Sequence, residues 1–131
     1  MDLLDRILEL SRRGYYCAGI LGQLFCETIG LEDENVVKVM SGLDGGIGHS
    51  QGTCGCMTAC CCILGYFGED AKPLMGEFIS WFKEEMMVYY GGFECNDIIK
   101  GNPAKRVEIC PQIIADSYMK CMELLQDKGL I

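Results

Sequence analysis

The chain has 131 residues, half of them hydrophobic, so it is long enough for one domain with one real core and too apolar to be disordered. Eleven Lys and Arg against nineteen Asp and Glu give a net charge of −8. That field argues against a nucleic-acid binder and against attachment to an anionic membrane surface.

The elements read as helices from end to end. Leu3, Leu4, Ile7, Leu8 and Leu10 stand at helical spacing over residues 2–13, with Arg12 and Arg13 in the last turn and Gly14 as the stop. A second helix is predicted over 15–29, with Gly30 just past its end. Glu32, Asp33 and Glu34 open a short third helix, where the N-terminal dipole favours acids, and it ends near Gly42. Six glycines then fall between Gly42 and Gly55, in a loop whose backbone must take unusual φ values or approach something closely. This loop runs into an apolar helix over about 53–67, too short to span a membrane and therefore expected as a buried core helix. Pro73 suits the first turn of the next helix, whose stripe is Leu74, Phe78, Phe82 and Met86, joined by Trp81. Gly91 and Gly92 break it. A short helix over about 95–100 follows, Pro103 marks a turn, and a last helix over about 106–128 presents Val107, Cys110, Ile114, Tyr118, Cys121 and Leu125 on one face. Strand-like alternation, internal repeats and linkers are missing. The expected architecture is one all-α domain over 1–131, a bundle of about six helices with a glycine-rich loop entering a buried cysteine-rich helix.

Ten cysteines would ordinarily suggest a secreted, disulfide-stapled domain. The first residues show no basic region before an apolar stretch, so no signal peptide is visible, and the chain is apolar enough not to need staples. A cytoplasmic protein with thiols that are free, metal-bound or redox-active is expected. No C-x-x-C occurs, which removes the thioredoxin-type motif and the usual zinc knuckle. No C-x-x-C-H occurs either, so c-type haem is not expected. Any metal site must gather its ligands from distant parts of the chain. Cys54, Cys95 and Cys110 each stand near a predicted helix start, where unpaired N–H groups and the dipole favour a thiolate.

In the stretches Gly14-Tyr15-Tyr16-Cys17-Ala18, Gly45-Gly46-Ile47-Gly48 leading to Thr53-Cys54-Gly55, Cys95-Asn96-Asp97-Ile98-Ile99, and Cys110 with Ile113, the chain resembles the C-GCAxxG-C-C family of small redox-active proteins. The resemblance covers nearly the whole length. It implies that the family's four shared cysteines are Cys17, Cys54, Cys95 and Cys110, and that the partner is a redox protein or oxidoreductase. A related domain occurs in split-Soret cytochromes, which carry haem and an iron–sulfur centre. This chain departs from the family pattern at Cys56 and Ala59, where the motif has Ala and Gly, and at Tyr16, where Asn is common.

Three readings follow. In the leading one, Cys17, Cys54, Cys95 and Cys110 hold an iron–sulfur cluster or another soft-metal centre, with Cys56 or Cys60 as additional ligands and Gly46, Gly48 and Gly55 as N–H donors to the sulfurs. In the second, Cys54 or Cys110 attacks as a metal-free thiol–disulfide nucleophile and a neighbour such as Cys56 resolves. In the third, zinc stabilises the fold. Cys26, Cys62 and Cys121 are expected to fill the core, and His49 to be a solvated loop residue. A homodimer through an apolar helix face is compatible with all three readings.

Overall fold

A computed structural model describes residues 2–131. Seven α-helices form, and no strand occurs among the described residues. Helix α1 (Leu3–Arg12) starts where the Asp2 carboxylate accepts from Asp5 N–H at 2.8 Å, and it buries Ile7 and Leu10. Helix α2 (Cys17–Ile29) is apolar on most sides and ends on Gly30 at φ 70°. Helix α3 (Glu34–Met40) is capped by Asp33. Helices α4 (Gly55–Tyr66), α5 (Lys72–Tyr90), α6 (Cys95–Ile99) and α7 (Arg106–Asp127) complete the chain.

Helix α4 is the hub, because it packs on α2, α5 and α7. The predicted stripe of α5 is realised: Leu74, Phe78, Phe82 and Met86 are all buried, and the Phe78 and Phe82 rings stack at 6.1 Å. In α7, Ile114, Tyr118, Cys121 and Leu125 are buried as expected. Val107 is not. It sits in the first turn of α7, before that helix reaches the core, and is exposed. The expected burial of α4 also holds for one face only. Gly55, Cys56, Ala59, Cys60, Ile63 and Leu64 are buried, whereas Cys62 and Tyr66 face outward, so Cys62 is not core filling.

The loop between α3 and α4 is wound through left-handed conformations. Gly45, Gly46 and Gly48 take positive φ, and so do Ile47, His49 and Gln51. Gly46 has no alternative, since a Cβ there would lie 2.5 Å from Gly52 N and 2.9 Å from Cys95 Cβ. The loop is stitched to the start of α6: Cys95 N–H donates to Gly52 O at 2.6 Å and Asn96 N–H to Gln51 O at 3.0 Å. This stitching brings Cys95 to the loop that delivers Cys54.

Candidate redox site: a cavity lined by cysteines

Where α1, α2, the loop, α4, α6 and α7 meet, they enclose a cavity of about 250 Å³. Cys17, Cys54, Cys56, Cys95 and Cys110 all line it. Ile7, Ile20, Ile98, Ile113 and Ile114 supply much of the remaining wall, and Arg106 is the one cation in the lining. Cysteines separated by up to 93 positions in the chain, from Cys17 to Cys110, thus face a single apolar space.

Three of these cysteines stand at helix starts, although not the three the sequence suggested. Cys17 is the first residue of α2, Cys54 is the N-cap of α4, and Cys95 is the first residue of α6. Cys110 lies one turn inside α7, because that helix begins at Arg106 and carries Pro111 within it. The helix dipole therefore acts on Cys17 rather than on Cys110.

The environments differ in kind. The Cys56 thiol hydrogen-bonds to Cys17 and lowers the Cys17 thiol to about 7 against the opposing effect of burial, with a further hydrogen bond from the Gly45 N–H. The same contact, together with one to Cys54 and complete burial, drives Cys56 well above its ordinary value. Of this pair, Cys56 keeps the proton and Cys17 carries the charge. Burial raises Cys95, opposed by a hydrogen bond and the charge of Arg106. Burial and then the proximity of Cys17, Cys54 and Cys95 push Cys110 up to about 12.

The expected additional ligands separate. Cys56 is in the cavity, whereas Cys60, one turn further along α4, is turned into the α4–α7 interface with no exposed surface. The glycines separate too. Gly55 lines the cavity, and a Cβ on it would lie 2.5 Å from Cys17 Sγ. Gly46 leaves space for Cys95. Gly48 is exposed and away from the cavity, and Gly45 is the glycine whose N–H reaches Cys17. His49 is exposed, with its ring edge-on to Tyr16 at 4.9 Å.

Asp44 is the residue that sequence reasoning missed. It is 5 % exposed, and its Oδ1 accepts from the N–H groups of Ala18 at 2.9 Å and Gly19 at 3.0 Å. It caps α2 from 25 residues away in sequence, and burial raises its carboxyl pKa against these two bonds. The available signal was negative: Tyr16, at the start of α2, is no capping residue.

Among the described residues, no group of three or more His, Cys, Asp or Glu side chains is set to hold a metal ion. The sequence model of the family described as "Putative redox-active protein (C_GCAxxG_C_C)" matches residues 15–124. The chain belongs to the C_GCAxxG_C_C family. The matched span contains all five cavity cysteines and Asp44. No curated protein and no solved structure matches the chain. No helix among the described residues is long and apolar enough to cross a membrane.

Proposed function

We propose that the protein is an electron-transfer module that holds an iron–sulfur cluster in this cavity, with Cys17, Cys54, Cys95 and Cys110 as ligands and a redox protein as partner. The observation that carries the reading is that cysteines from four helices surround a space of about 250 Å³. A single zinc ion bonds thiolates at about 2.3 Å and needs its ligands drawn to a point. A cluster has its own volume and takes four thiolates from around it.

The residues fit that group chemically. Thiolates are soft donors suited to iron–sulfur centres. The start of α2 favours the charged sulfur at Cys17. The Gly45 N–H and the Cys56 thiol donate to the Cys17 sulfur, and Arg106 lies beside Cys95; such donors tune a bound centre. Isoleucines make much of the wall apolar, and Gly55 leaves room for Cys17 Sγ. When bound, the cluster would supply one-electron transfer.

A second reading rests on the contact between Cys17 and Cys56. In a metal-free protein the Cys17 thiolate would attack a substrate disulfide, forming a mixed disulfide and releasing one thiol. Cys56 would then lose its proton and attack the Cys17 sulfur, releasing the second thiol and leaving a Cys17–Cys56 disulfide. The attacking role moves here from Cys54 or Cys110 to Cys17, because Cys110 at about 12 stays protonated.

Iron, zinc and acid-labile sulfide in protein purified without oxygen, with a visible spectrum, test the first reading. Iron and sulfide in near-equal amounts are expected, lost on replacing any of Cys17, Cys54, Cys95 or Cys110 by Ser and retained in Cys60→Ala. A colourless protein that also resists reconstitution with iron and sulfide would overturn it. A Cys17–Cys56 disulfide after reaction with a small disulfide would then select the second reading.

A further inference from the structure

Cys60 and Cys121 lie outside the cavity and have no assigned role. Both are completely buried, one on α4 and one on α7, where those two helices pack together. Their thiols cross. Cys60 Sγ donates to Ser117 O on α7 at 3.7 Å, and Cys121 Sγ donates to Cys60 O on α4 at 3.9 Å. Each sulfur thus reaches the opposing helix, one turn or less from the partner cysteine. Both accepting carbonyls lie inside helices, at positions where they take a backbone N–H four residues on, so losing the S–H donors would orphan neither. Ser117 Oγ is the buried side-chain oxygen without a hydrogen-bond partner among the described residues, and it belongs to the same turn of α7.

We propose that Cys60 and Cys121 form a second redox site, a buried dithiol that a peroxide closes to an intramolecular disulfide joining α4 to α7. The step balances. One sulfur attacks hydrogen peroxide, the O–O bond breaks, and that sulfur becomes a sulfenic acid as one water leaves. The second sulfur attacks it, forming the S–S bond and expelling the hydroxyl as a second water that carries the remaining thiol proton. The two sulfurs are oxidised and the two peroxide oxygens reduced. Complete burial keeps out larger disulfides. The bond would tie the helix carrying Cys54 and Cys56 to the helix carrying Cys110, behind the cavity.

Folded protein treated with hydrogen peroxide, quenched with an alkylating agent and digested without reductant tests this. A peptide linking Cys60 to Cys121, lighter by two hydrogens than the sum of its parts, is expected, and it should disappear on reduction. Oxidised wild type should melt at a higher temperature than reduced protein, and Cys60→Ala should show no such gain. Recovery of Cys60 and Cys121 as alkylated thiols after the cavity cysteines have oxidised would overturn the proposal, as would linkage of either to a different cysteine. The linked peptide is read on wild type, so a variant that folds poorly does not decide the result. Iron and sulfide content of Cys121→Ala should equal that of wild type, which separates this site from the cluster reading.

Discussion

Replacing Asp44 by Ala and by Asn separates the two things this residue does. Its Oδ1 accepts two buried backbone N–H groups at the start of α2, at 2.9 and 3.0 Å. Alanine leaves both without a partner. A buried donor left unsatisfied costs about 1–3 kcal/mol, and loss of a helix cap about 0.5–2 kcal/mol. Because one oxygen serves both groups, the combined loss should be near 3 kcal/mol by these same ranges. In urea, with a slope of roughly 2 kcal/mol per molar, the unfolding midpoint should fall by about 1.5 M. Asparagine keeps an oxygen in place and removes the charge that burial disfavours, so its cost should stay below about 1 kcal/mol. The pH dependence separates the variants from wild type further. Burial raises the folded-state pKa of Asp44 above its ordinary 3.8. The folded state therefore holds this proton more tightly, and the contribution to stability, complete below 3.8, is lost as pH rises through the folded value. Asp44→Asn should lack that slope. It should also lower the Cys17 pKa below about 7, since the Asp44 charge raises it. Urea titrations between pH 3 and 8, with alkylation of metal-depleted protein, read both effects. Equal destabilisation by Asn and Ala, or a Cys17 pKa that rises in Asp44→Asn, would refute the reasoning.

Three further outcomes are expected. In metal-depleted protein, the rate of Cys17 alkylation by iodoacetamide should follow a titration centred at about pH 7, with Cys110 unreactive over the same range, and Cys56→Ala should move the Cys17 midpoint up toward 9.0; peptide mapping of the alkylated protein reads all three. Gly55→Ala places a Cβ 2.5 Å from Cys17 Sγ and 2.9 Å from Leu43 O, so it should cost about 1–3 kcal/mol of stability in urea and reduce iron retention on reconstitution. Phe78→Ala opens a hole in a side chain with no exposed surface and should cost about 3–5 kcal/mol by the same assay, with no effect on the Cys17 titration.

Much of the fold could be read from local physics. The i, i+4 stripe of Leu74, Phe78, Phe82 and Met86 names the buried face of α5 because a regular helix repeats its geometry every turn. Gly30 and Gly91 mark helix ends because the left-handed residue there carries little penalty without a Cβ. The same periodicity misplaced Val107, since it says which side a residue is on but not where the helix first meets the core. It also misjudged Cys62: a helix of small apolar residues has no polar face to show which side is outside.

The sequence by itself determined an all-α chain, its helix ends, its glycine-rich loop and its family, because spacing, caps and motif order are properties of neighbouring residues. It also singled out Cys17, Cys54, Cys95 and Cys110. Only the tertiary structure decided that these four and Cys56 share one cavity while Cys60 turns away from it toward Cys121. One turn along α4 separates Cys56 from Cys60, and which neighbour each meets depends on how α2 and α7 pack against that helix. Asp44 shows the same division. Its chemistry is that of a helix cap, but it is joined to α2 by a chain reversal that no local pattern encodes.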